Sequence, residues 1–217
     1  MDKGGISKRL INLANCFFGG MHGGMGIVAV IAAMFFAAIS GSGTATVAAI
    51  GSILIPAMVK EGYDSGFSSG LSAISGSLGT IIPPSITFII YGMITGESIG
   101  DLFFAGIVPG CIFGGILCIY TYWISKKNNW GGKGKMASGQ EIMKCFIDAL
   151  WGIISPVIVL GGIYSGILTP TESAAVAVIY SFVVGVIIYR ELPWSNLMNV
   201  IIASGKGSAM VLFIIAT

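Results

Sequence analysis

Charge is what this sequence has least of. Of its 217 residues 9% are charged and 55% are hydrophobic, whereas a soluble domain carries about 25% charged residues. Charged side chains are absent altogether from residues 10–59, 65–96, 102–125, 149–171 and 173–189. Each of these runs approaches or exceeds the roughly 20 apolar residues needed to cross a bilayer. A soluble globular domain is thereby excluded. The runs are continuous rather than alternating, which excludes a porin-like barrel built from strands of about 10 residues. The fold class that remains is an all-α polytopic membrane protein. Histidine occurs once, and the four cysteines form no C-x-x-C pair, so Cys16, Cys111, Cys118 and Cys145 read as buried free thiols rather than disulfides or metal ligands. The nine carboxylates fall almost entirely in loops, and neither G-x-S-x-G nor H-E-x-x-H occurs. The GSGTAT stretch lacks the Lys-Ser/Thr ending of a phosphate loop. No enzyme constellation is present.

Glycine is plentiful, with 33 residues, and its placement is informative. Within the charge-free run 10–59, the segment SGSGTAT at residues 40–46 interrupts two stretches of about fifteen residues, or roughly 22 Å of helix each. Gly41 and Gly43 let the backbone leave helical geometry. Ser42, Thr44 and Thr46 bring hydroxyls to the place where helix ends expose unpaired amides and carbonyls. Residues 26–60 therefore read as a re-entrant helical hairpin, a break that hydrocarbon tolerates only if it is buried in protein or lines a wet cavity. The alternative is a single full span over residues 13–40 followed by an ordinary extramembrane turn at GSGT.

A second break follows in GTIIPPSI, where Pro83 and Pro84 remove two amide donors and bar Ile82 from helical geometry. Residues 61–96 thus form a broken transmembrane helix, and residues 97–125 an uninterrupted one. Before the hairpin, residues 1–25 read as an interfacial arm helix and a turn, with Ile6, Leu10, Leu13 and Phe17 at helical spacing among Lys8, Arg9, Asn12 and Asn15. His22 reads as a polar interface residue. After residue 125, residues 126–147 read as a cytoplasmic linker, residues 148–190 as two further membrane helices, and residues 191–217 as an interfacial segment leading into the start of a truncated span. Lys3, Lys8, Arg9, Lys60, Lys126, Lys127, Lys133, Lys135, Lys144 and Arg190 mark the cytoplasmic side by the positive-inside rule. Residues 97–101 and 169–172 then fall outside.

Two broken helices deep in apolar sequence are how secondary transporters build their sites. Half-helix N-termini suit anions, and unwound carbonyls suit sodium. GSGTATVAAIGSILIPAMVKEGYDSGFSSGLSAISGSLGTIIPPSI, SIGDLFFAGIVPG and SGILTPTESAAVAVIY together resemble the large membrane (permease) subunit of tripartite ATP-independent periplasmic (TRAP) transporters. The resemblance implies part of an inverted-repeat, elevator-type carrier of the bacterial inner membrane. That carrier would be a sodium symporter importing organic acids, C4-dicarboxylates or sialic-acid-like carboxylates. Its implied partners are a small membrane subunit, a periplasmic substrate-binding protein and the lipid bilayer, with no nucleic acid and no cofactor beyond sodium as the coupling ion. Carried onto this sequence, the substrate side falls on Ser42, Gly43, Thr44, Thr46, Pro84 and Ser85, and the sodium ligands on Ser40, Ser42, Thr44, Gly79, Thr80 and Pro83. The family is built from two inverted repeats, and this chain reads as a fragment that begins inside the first and is not expected to transport alone. Two other readings stand beside this one: another carrier of the wider ion-transporter superfamily, and a membrane scaffold fragment that does not transport. A hydroxyl-rich tip paired with a double proline argues against the scaffold, whose packing glycines need only small-xxx-small spacing.

Overall fold

A computed structural model describes residues 5–131 and 137–216, without the side chains of 194–196 and 214–215. Lys3, Lys133 and Lys135, expected on the cytoplasmic side, lie outside the described residues. Nine helices run through the described residues: α1 (Ile6–Phe18), α2 (Gly24–Ser40), α3 (Gly43–Lys60), α4 (Ser65–Ile81), α5 (Ile86–Thr95), α6 (Ile99–Asn128), α7 (Gly139–Tyr164), α8 (Pro170–Ile188) and α9 (Trp194–Ala216). Helices α3, α6, α7 and α8 are each long and apolar enough to cross a membrane, and the bent pair α4 and α5 would make a fifth span.

The core is built around α2. Val28, Ala29, Val30, Ala32 and Ala37 are fully enclosed, because α1, α3, α4 and α6 pack around the helix on several sides. A helix that is apolar all round needs such company. α3 lies antiparallel to it and contains one wider, π-type stretch, Val47–Gly51. The buried positions of α3 include Thr46, Ile50, Leu54 and Met58. A second π-type stretch, Val184–Ile188, closes α8.

α1 is amphipathic as its spacing predicts, and its apolar side is spoken for within the protein. Ile6, Leu10 and Leu13 pack with Ala149 of α7 and Val184 of α8 in a cluster of their own. The same contact corrects the reading of the cysteines. Cys16 of α1 and Cys145 of α7 are joined as a disulfide, with Cα atoms 7.0 Å apart, while Cys111 and Cys118 are free. The two partners stand 129 residues apart, so only the packing of α1 on α7 brings them together.

Two boundaries differ from the sequence expectation. The linker is shorter than 126–147, because α6 runs on to Asn128 and α7 begins at Gly139. A capping box sets that start: Ser138 Oγ accepts from the Glu141 amide, and the Glu141 carboxylate accepts from the Ser138 amide at 2.7 Å. Residues 194–216 form one helix rather than an interfacial piece followed by a span. Gly205 and Gly207 are carried inside it, with nothing close enough to obstruct an added side chain, as isolated helix glycines can be at a modest cost.

Candidate functional site

The hairpin breaks where the glycines are. Gly41 ends α2 in the left-handed region, at φ 63°, which favours a residue without a Cβ. Ser42 is extended and caps α3, its Oγ accepting from the Ala45 amide at 3.5 Å. Hydroxyls secure the tip internally. Ser40 Oγ donates to the Ser42 carbonyl at 3.2 Å, and Thr46 Oγ1, fully buried, donates to the same carbonyl at 2.8 Å. Ser42 Oγ and Thr44 Oγ1 bond to each other at 3.1 Å on the more open side.

The proline break answers it across the interface. α4 ends at Ile81, residues 82–85 are extended or bent, and α5 leaves at 40° to α4. Pro83 and Pro84 cannot donate to the carbonyls four residues back, those of Gly79 and Thr80. Ser85 Oγ replaces one missing donor by bonding the Thr80 carbonyl at 2.8 Å. For the Gly79 carbonyl, proline leaves no helical donor. The Ile86 amide crosses to the hairpin and donates to the Gly41 carbonyl at 3.0 Å.

Backbone meets backbone here, and glycine is the reason. A Cβ placed on Gly79 would stand 2.7 Å from the Ser42 carbonyl oxygen, one on Gly41 2.5 Å from the Pro84 oxygen, and one on Gly43 2.9 Å from the Gly76 oxygen. The structure therefore brings Ser40, Ser42 and Gly43 of the tip against Gly79, Thr80, Pro83, Pro84 and Ser85 of the break. Thr44 lies on the exposed side, and Thr46 is buried behind the tip.

Beside this junction lies a cavity of about 180 Å³. Ser40, Gly41, Pro84 and Ser85 form one wall, and Phe103, Ser155 and Ala174 of α6, α7 and α8 face them. None of its lining residues is titratable. The N-terminus of α5 at Ser85 has no side-chain cap, so its dipole favours an anion there, although the Ile86 amide is already taken by the Gly41 carbonyl. Of the residues expected at the substrate, Pro84 and Ser85 line the cavity, whereas Ser42, Gly43, Thr44 and Thr46 do not. The far wall, including Ser155 in the middle of α7, carries no local sequence signal. Among the described residues no cluster of three His, Cys, Asp or Glu could hold a metal. A cation at the junction would have to use hydroxyl and carbonyl oxygens, and those suit a hard ion.

The profile of the family described as "Tripartite ATP-independent periplasmic transporter, DctM component" matches residues 1–217. The chain belongs to the DctM component family. Among its relatives, the isethionate TRAP transporter permease protein DctMQ of Oleidesulfovibrio alaskensis is 46% identical over 216 residues, covering 100% of this chain and 34% of that protein. The C4-dicarboxylate TRAP transporter large permease protein DctM of Pseudomonas aeruginosa is 45% identical over 216 residues, 100% of this chain and 50% of its own length. The sialic acid TRAP transporter permease protein SiaT of Haemophilus influenzae is 38% identical over 217 residues, 100% of this chain and 35% of its own. This DctM chain thus spans a third to a half of the length of these curated relatives. They are transporter permeases and not enzymes, in keeping with the absence of a catalytic constellation here.

Proposed function

We propose that this chain forms part of the large membrane subunit of a sodium-coupled transporter that imports organic acids across the bacterial inner membrane. In this reading a periplasmic binding protein delivers the substrate and a small membrane subunit completes the carrier. The observation that carries the reading is the junction of hairpin tip and proline break. It holds two hydroxyls, of Ser42 and Thr44, that face each other on its open side, and a Gly79 carbonyl stripped of its helical donor on a residue whose Cα packs against the Ser42 backbone. Those oxygens are the candidate sodium ligands. Ser40 and Thr80 support them from behind, since the hydroxyls of both already donate to carbonyls. The carboxylate of the substrate sits in the adjoining cavity against Ser85 and the positive N-terminal end of α5. The names of the relatives, which print C4-dicarboxylate and sialic acid as their substrates, favour a carboxylate.

The test is Ser42→Ala in a complete transporter carrying this sequence. It removes one oxygen and leaves the backbone contacts in place. The sodium concentration for half-maximal uptake should rise about tenfold, the shift expected if that ligand contributes about 1.4 kcal/mol, with protein level unchanged. An unaltered sodium dependence would remove Ser42 from the site.

A further inference from the structure

The base of the hairpin holds polar groups that the site at its tip does not use. α2 opens with backbone amides that the helix itself cannot satisfy, and its cap, Gly23, brings no side chain to them. Gly23 donates to the Trp130 carbonyl at 3.1 Å and Gly24 to that of Met21 at 2.9 Å. The amides of Met25 and Gly26 are left, at the positive end of a helix of 17 residues.

Three buried hydroxyls gather at this end. Tyr63, between α3 and α4, is 3% exposed, and Thr121 and Ser125, one turn apart near the end of α6, are fully enclosed. Among the described residues none of the three oxygens has a hydrogen-bond partner. A Cβ on Gly23 would lie 3.1 Å from Ser125 Oγ, and one on Gly131 would lie 3.1 Å from the Tyr63 hydroxyl and 3.3 Å from the Gly23 nitrogen. The Tyr63 oxygen also has the Ser125 hydroxyl and the amides of Gly26 and Met25 beside it. The rings of Phe67 and Trp130 pack on that of Tyr63, with centroids 6.4 and 5.4 Å away, so the ring is enclosed and only its hydroxyl is left to a polar partner. Burial pushes the phenol above its ordinary range, and a neutral phenol can both donate and accept.

We propose that one water molecule binds between the start of α2, Tyr63 and the end of α6, as a fixed part of the hairpin's base. It accepts from a free amide of Met25 or Gly26 and bonds the hydroxyls of Tyr63 and Ser125, which makes about the three partners that a buried water holds. The Thr121 hydroxyl belongs to the same group. Charge selects a neutral occupant. A cation would meet the positive end of α2. An anion would meet the field of the Glu61 carboxylate, which acts on the Tyr63 phenol, while Lys126 and Lys127 lie over the rings of Tyr122 and Trp123. The water ties α2 to α6 at the end of the hairpin remote from its tip.

Crystallographic maps of the complete transporter, at a resolution that shows ordered water, test this in the parent and in a variant carrying both Tyr63→Phe and Ser125→Ala. The parent should show a single peak within hydrogen-bond distance of at least three of these groups, and the double variant should lose it. If the double variant does not fold, Ser125→Ala alone, which removes one oxygen, should weaken the peak. A direct bond between the Tyr63 and Ser125 hydroxyls with no peak beside it, or a peak unchanged in the variants, would overturn the proposal. An anomalous signal at the peak in protein prepared in bromide would make the site an anion's and overturn it equally.

Discussion

A methyl group on Gly79 would stand 2.7 Å from the Ser42 oxygen and 2.8 Å from Thr46 Oγ1, and neither atom can retreat, since both belong to the bonded knot of the hairpin tip. Gly79→Ala should therefore cost about 1–3 kcal/mol, the range for overpacking a tight interface. Gly70→Ala on the same helix meets nothing within 4 Å and should be neutral or stabilising by up to about 1 kcal/mol. Melting temperatures of the two purified variants check the contrast. At this scale the sequence was readable where one residue type has one physical use. Gly41 had to be a turn, and Pro83 and Pro84 had to strand carbonyls. It was silent where a residue's role comes from a distant partner. Arg9 meets Asp148 and Glu191, and Cys16 meets Cys145, only because α1 lies against α7 and the end of α8; no local spacing encodes such a meeting. Thr46 and Ser85 were both legible as hydroxyls near a break. That the first bonds backward into the tip and the second faces the cavity depends on helix rotation.

Among the elements, the broken helix makes the most specific mechanical claim. α4 and α5 are held at 40° by residues 82–85, and both prolines contribute by withholding donors. Replacing Pro83 and Pro84 together by Ala restores two amides and lets the helices fuse. Spin labels at Ser69 and Met93 should then settle in a single narrow distance near the roughly 36 Å of a straight helix, and uptake should fall with the loss of the break. An unchanged distance would show that packing against the hairpin sets the bend. Helix existence was legible from composition, and helix ends only where a recognisable cap stood. The start of α7 is masked in the sequence because the Ser138 and Glu141 box sits beside a lysine-rich segment that reads as linker. The continuity of α9 is not legible in sequence because Gly205 and Gly207, in a helix with open surroundings, look the same there as the glycines that break α2 from α3.

For the whole molecule, the orientation is the open quantity with the simplest test. Lysine placement puts the α6 to α7 connection in the cytoplasm and both the α5 to α6 turn and residues 169–172 outside. With the four native cysteines replaced, a single cysteine at Lys127 should resist an impermeant thiol reagent added to intact cells, and one at Ser98 should react. The reverse pattern would invert the fold in the membrane and place the cavity at the hairpin on the opposite approach. A further consequence lies in the π-type stretch of α3. Its inward residues Thr46, Ile50, Leu54 and Met58 recur every fourth position. On an uninterrupted α-helix each such step overshoots a full turn by about 40°, so three steps would carry the last residue about 120° out of line. The widened stretch acts as a phase correction: it absorbs the overshoot and keeps the hydroxyl at the tip and the methionine at the base facing α2. Deleting the exposed Ala48 would remove the correction without shortening the helix by more than one residue. Met58, fully enclosed in the native fold, should then become accessible to a water-soluble oxidant, which peptide mapping of the sulfoxide would register.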